Sequence, residues 1–270
     1  MIETVKQIYE EHRSLGWVRI YRLAKSDLIR LYRGAALGWA WALVKPIMTL
    51  FVFYFGIRIG LRHGGEVNGM PYFLWQLAGF LPWFYMRRLI PGGAGCIRKY
   101  NHLVTKMKFP VSTIPTFLNI SELMVHLALL ALTLITFACF GCKPDFYLLQ
   151  IPLYMFLMVI SFTSWSLFAG MLGAMSKDFL NLIKSLSTAI FWMSGIIYDV
   201  NEIHNKYLRF VLKLNPVTFI SSGYRDVFIY KKWIIEDKVG IICYLITLVA
   251  TILGAIWAYK RLRKEIPDVL

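Results

Sequence analysis

Six stretches almost free of charge decide what this chain can fold into, because an α-helix rising 1.5 Å per residue needs about 20 apolar residues to cross a bilayer core. They run over Leu37–Ile57, which holds Lys45 and Pro46, then Val67–Met86, a span inside Phe109–Cys142 interrupted only by Glu122, and another inside Phe146–Ser176. Phe179–Tyr198 qualifies if Lys184 extends its ammonium to the interface, and Val239–Tyr259 carries no charge. With 58% hydrophobic and 17% charged residues, against about 25% charge in ordinary soluble domains, lipid must replace water over much of the surface. The expectation is an all-α integral membrane protein with six transmembrane helices, an even number that returns both termini to one side.

Orientation follows from the cations. Thirty Lys and Arg against fifteen Asp and Glu give a net charge of +15. They are scattered between apolar runs and form no continuous basic stripe, which argues against nucleic acid. Arg13, Arg19, Arg22, Lys25, Arg30 and Arg33 precede the first span; Arg87, Arg88, Arg98, Lys99, Lys106 and Lys108 follow the second; Lys260, Arg261, Arg263 and Lys264 follow the sixth. By the positive-inside rule these segments face the cytoplasm, and no removable signal peptide is evident. Residues 1–36 read as an interfacial amphipathic helix broken at Gly16, residues 37–260 as the transmembrane domain, and residues 261–270 as a cytoplasmic tail. Within the domain, 97–108 reads as a short helix across the cytoplasmic face and 176–179 as a second, smaller projection. Residues 199–238 would lie outside although they carry seven Lys or Arg and five Asp or Glu. A re-entrant outer hairpin over 200–230, turning at Asn215-Pro216, resolves this; a plain extracellular loop is the alternative.

Covalent chemistry leaves no signature. There is no G-x-x-x-x-G-K-[ST] loop, H-E-x-x-H, G-x-S-x-G or D-x-D motif, and His12, His63, His102, His126 and His204 are dispersed. No catalytic residue, metal site or bound cofactor is assigned. Cys139 and Cys142 form a C-x-x-C, read as small buried side chains, with a disulfide as the alternative. Gly34-x-x-x-Gly38 and Gly56-x-x-x-Gly60 permit close helix approach. Charge within a span is costly and so points to function; Lys45 could meet an anionic head group or extend to the interface. Glu122 lies near the inner interface if its helix starts after Pro115, the preferred reading, and at mid-depth if it starts near Val111. Tyr72, Gln76, Gly79 and Trp83 share one helical face, which packs in the core or stacks against sugar rings.

Four segments carry a resemblance: LAKSDLIRLYRGAALGWAWALVKP (Leu23–Pro46), LWQLAGFLPWFY (Leu74–Tyr85), VTKMKFPVSTIP (Val104–Pro115) and LNPVTFISSGYRDVF (Leu214–Phe228). With them the chain resembles the permease subunits of type-2 ATP-binding-cassette polysaccharide exporters, and among these most closely the wall teichoic acid permeases. The resemblance implies a homodimer in the bacterial plasma membrane and two copies of a separate ATPase subunit that binds ATP and Mg. It also implies export of a polyprenyl-diphosphate-linked polymer. Coupling to the ATPase would fall on Arg98, Asn101, His102, Lys106, Lys177 and Asp178. The lipid diphosphate would meet Arg30, Arg33 and Lys45, and the glycan path would involve Tyr54, Tyr72, Trp75, Trp83 and Phe84. The rival readings are a capsule or O-antigen permease, a drug or lipid exporter permease, and a membrane glycosyl or phosphosugar transferase.

Overall fold

The computed structural model describes residues 1–60, 65–107 and 109–270; His63 and Lys108 lie outside them. Twelve α-helices follow one another in the described residues: α1 (Ile2–Leu15), α2 (Trp17–Tyr32), α3 (Trp41–Tyr54), α4 (Tyr72–Lys99), α5 (Asn101–Met107), α6 (Thr113–Cys139), α7 (Ile151–Met175), α8 (Lys177–Met193), α9 (Lys206–Lys213), α10 (Pro216–Arg225), α11 (Lys238–Leu262) and α12 (Ile266–Val269). No sheet forms among these residues; Val67 and Met70 pair as a single bridge.

Among the described residues, four helical stretches are long and apolar enough to cross a membrane: Gly38–Gly60, Thr113–Cys139, Phe146–Met175 and Lys238–Leu262. The two remaining expected spans depart from the sequence reading. The second does not end at Met86: α4 runs 28 residues, through Arg87 and Arg88 to Lys99. Charges that read as loop are tolerated inside this helix because Arg87 is exposed and Arg88 is paired with Glu122. The fifth is shorter than expected, since α8 has 17 residues and stops at Met193. Gly195, with φ 63°, turns the chain there through a conformation that suits glycine. The short helix expected from Ile97 starts only at Asn101, because Ile97 belongs to the end of α4. The preferred start after Pro115 is also corrected. Helix α6 begins at Thr113, and Pro115 fits its first turn, where backbone N–H groups need no helical partner.

The N-terminal segment is two helices. Gly16 adopts φ 75° between them. Helix α1 is tied to the bundle through Glu11, which accepts hydrogen bonds from the hydroxyls of Ser112 and Tyr259. His12 shares a 2.8 Å hydrogen bond with Thr116. These contacts put the start of α6 and the end of α11 beside the N-terminus. The C-terminal residues also dock: α12 contacts α5 and α7, with Ile266 buried.

Helices α4 and α7 form the most extensive pair. In lipid, burial of apolar surface gives little drive for helix association, so close contact between backbones takes over. A Cβ on Gly173 would strike the Ala94 carbonyl, and one on Gly170 would lie 2.9 Å from the Cys96 sulfur and 3.1 Å from the Gly93 carbonyl. The close approaches are therefore on α4 and α7, whereas Gly34, Gly38 and Gly56 have open space around them and Gly60 meets only its own turn at 3.8 Å. Of the 28 residues of α4, 20 are buried. In α3 only Ala42 and Leu50 are.

Helices α9 and α10 are the two short helices expected around Asn215-Pro216. Asn215 caps α10, accepting from the Val217 N–H at 3.1 Å, and Pro216 occupies the first turn. Helix α10 is buried against α4, α7 and α11, while Tyr207, Leu208, Phe210 and Val211 of α9 are exposed. Cys139 and Cys142 are free thiols, and Cys139 is exposed rather than buried.

Candidate functional site

Lys45 enters the structure one residue before Pro46, near the start of α3. Its ammonium sits 5.7 Å from the centre of the Trp41 ring. Together with Arg87 and Arg88 of α4 it lines a cleft of about 530 Å³ that Tyr32, Trp41, Thr49, Phe84 and Val125 also border. Among the described residues, neither Lys45 nor Arg87 has a carboxylate within 4.0 Å. Arg88 is different. Its Nε lies 3.1 Å from Glu122 and its Nη1 donates to the Tyr32 hydroxyl at 3.0 Å. Glu122 is buried, nine residues into α6, or ~13 Å along the helix at 1.5 Å per residue. It serves as the partner that keeps Arg88 extended along the cleft wall. A buried carboxylate next to a guanidinium is stable only while both are present.

The cleft continues between α3, α4 and α8, where Thr49 and Arg87 also border a space of about 260 Å³ lined by Phe53, Phe80, Trp83, Phe191 and Trp192. Cations at one end and rings at the other suit a ligand with an anionic head and a sugar body. Of the glycan-path residues, Trp83 and Phe84 border these spaces and Tyr54 borders an adjoining one. Tyr72 and Trp75 do not. Trp75 is buried, with the Arg225 guanidinium 3.5 Å from its ring centre and its own N–H donated to Tyr230 at 3.0 Å. Tyr72 is buried and stacks on Trp75 at 5.4 Å.

Arg225, fully buried, packs against Trp75 and Gly79 of α4. Its guanidinium donates to the carbonyls of Gly195 at 2.6 Å, of Ile196, and of Tyr198 and Trp75 at 3.4 Å. Gly79 leaves the room it fills, since a Cβ there would collide with it. One side chain thus joins α4, α10 and the segment after α8. Sequence reading missed it; the signal available was an arginine directly after the apolar run Leu214–Tyr224.

Arg30 and Arg33 do not border the cleft. Arg30, half-exposed, lies 3.9 Å from Asp27 and 4.9 Å from the Tyr100 ring centre. Asp27 is buried and bound by Lys99 at 2.8 Å and by the Tyr100 hydroxyl. Burial pushes its carboxyl up, but the hydrogen bonds from Lys99 and Tyr100, the Lys99 charge and the Ser121 hydroxyl together outweigh that and leave it below the ordinary carboxylate range. It is therefore ionised at neutral pH, holding α2 to the end of α4. Arg33 is exposed just past α2.

The proposed coupling residues gather at the same end. Asn101, His102 and Lys106 of α5 and Lys177 and Asp178 of α8 are exposed. Arg98 is spent internally, donating to the Gly173 carbonyl at 2.7 Å and the Ala174 carbonyl at 2.6 Å. It thereby caps the end of α7 and ties to it the last turn of α4, from which α5 continues.

Sequence comparison extends this geometry. Over 229 residues the chain is 24% identical to the O-antigen export system permease protein RfbA of Myxococcus xanthus, covering 84% of this chain and 85% of that protein. The family described as ABC-2 type transporter matches residues 18–229, a region that takes in the cleft, the Arg225 junction and every exposed residue of the projecting end named above. The chain belongs to the ABC-2 type transporter family.

Proposed function

We propose that this chain is the permease subunit of an exporter that moves a polyprenyl-diphosphate-linked cell-surface polysaccharide across the bacterial plasma membrane. Two copies pair in the membrane and two copies of a separate ATPase bind the projecting end, which faces the cytoplasm with both termini. Helices α4 and α8 complete six spans, and α9–α10 enter from the outer side and return. The observation that carries this reading is the cleft of Lys45, Arg87 and Arg88 leading into the ring-lined space at Trp83, Phe191 and Trp192. Cations suit the diphosphate and rings suit the sugars that follow it. Arg30 and Arg33, on the approach to the cleft, attract the head group at the inner leaflet. ATP-driven closure of the ATPase pair pushes on α5 and the α7–α8 turn, and the spans tilt to expose the path on the other side.

Within this class, wall teichoic acid is the polymer whose permeases the sequence segments resemble most. O-antigen is the second reading, favoured by the M. xanthus relative. In the assembled complex, lipid-linked polymer stimulates ATP hydrolysis, and changing Arg30, Arg33 and Lys45 together to Gln abolishes the stimulation. Unchanged stimulation in that variant would overturn the reading. Comparing an anionic polyol-phosphate chain with a neutral glycan on the same lipid separates the two polymers.

A further inference from the structure

The basic cleft has a second exit. Pro46, Phe84 and Leu129 border both the cleft and an adjoining slot of about 340 Å³ between α3, α4 and α6. The slot is lined almost wholly by apolar side chains, among them Leu50, Phe73, Leu77 and Leu132. Along α4 it extends from Phe84 to Phe73, ~16 Å at 1.5 Å per residue, or about half the hydrocarbon core. Its outer wall is Ile47 and Phe51, both exposed on the flank of α3. The ring-lined space leaves the cleft on the other side of α3, through Thr49 and Arg87. Three compartments of different chemistry therefore meet at one point: a cationic junction, an apolar slot and an aromatic passage.

The geometry points to a tail site: the slot holds the first part of the hydrocarbon chain of the diphosphate-bearing lipid while Lys45 and Arg87 hold its diphosphate. Arg88, neutralised by Glu122, is a positioning residue for the cleft wall. This rests on the reading of the chain as an exporter of lipid-linked polymer. The occupant follows from continuity. An apolar slot that opens only onto bilayer would accept any acyl chain, but one that ends on two cations with no carboxylate partner among the described residues selects a chain ending in an anion. A diphosphate offers both cations a partner at once.

The test uses the permease in nanodiscs and three probes: a long-chain polyprenyl diphosphate, geranyl diphosphate and phosphatidylglycerol. Leu132→Trp fills the slot from α6, and Leu132→Met keeps it open as a folding control. Long-chain binding weakens at least about tenfold in Leu132→Trp, the loss of roughly two buried methylene groups, and is retained in Leu132→Met. Geranyl diphosphate, whose shorter chain buries less surface in the slot, loses less than the long chain does. Lys45→Gln with Arg87→Gln weakens both diphosphates. Equal long-chain binding in Leu132→Trp and the parent would overturn the site, and so would loss in Leu132→Met as well, since that reports the helix rather than the slot. Phosphatidylglycerol binding as tightly, with the same response to Leu132→Trp, would assign the slot to bulk phospholipid and overturn the selective tail site. The export reading fails separately, if the lipid binds as stated but polymer-bearing lipid leaves ATP hydrolysis unstimulated.

Discussion

Gly79 stands where any side chain would collide with the Arg225 guanidinium, so a single hydrogen decides whether α10 can lie against α4. Gly79→Ala is expected to cost about 1–3 kcal/mol through overpacking, read as a lower melting temperature of the purified chain. Gly92 lies on the same helix with nothing within 4 Å of its would-be Cβ, so Gly92→Ala is neutral or gains up to about 1 kcal/mol from helix propensity. Equal melting of the two variants would mean that the Arg225 junction adds nothing to stability. The Gly79 result also explains why this face reads ambiguously in sequence. Tyr72, Gln76, Gly79 and Trp83 share a face, but their register says nothing about what occupies it. The partner lies about 150 residues away in the chain, as the Trp75–Arg225 hydrogen bond shows, and no local pattern announces a contact of that range.

Between elements, Arg98 ties the end of α4, from which α5 continues, to the end of α7, because its two charge-assisted hydrogen bonds end on α7 carbonyls, and so it anchors the surface that carries α5 and the α7–α8 turn. Reversing an exposed charge on that surface leaves the fold intact and disturbs only docking. Lys106→Glu with Asp178→Lys is expected to retain the parent's melting temperature while ATP hydrolysis is no longer linked to export, measured as polymer transported per ATP in proteoliposomes. Normal coupling in that variant would show that force enters elsewhere. The helices were largely legible, since charge-free intervals locate α3, α6, α7 and α11, and Asn215-Pro216 locates the turn between α9 and α10. The ends were not. Arg87 and Arg88 read as loop because a charge in a span is expensive alone, and only the fold shows Glu122 lying 3.1 Å from Arg88. The cationic cleft was half legible: Lys45 stood out by its position, but Arg87 was hidden among residues counted as cytoplasmic.

For the molecule as a whole, sidedness is the claim most open to direct measurement. Cys139 is an exposed thiol at the end of α6 remote from Thr113, whereas Cys96 and Cys243 are buried. A membrane-impermeant maleimide added to intact cells therefore labels the chain, and Cys139→Ser removes most of that signal, with Cys142 supplying the rest. Labelling only after the cells are opened would invert the assigned orientation.

Only two residues of α3 are buried, against twenty of α4. A span that its own chain scarcely grips takes its position from its surroundings. It answers to the thickness and fluidity of the membrane and to a neighbouring copy more than to the other helices. Extraction into detergent should therefore impair transport well before it lowers the melting temperature, because the wall shared by the tail slot and the aromatic passage is held by few buried residues and leans on the solvent around it.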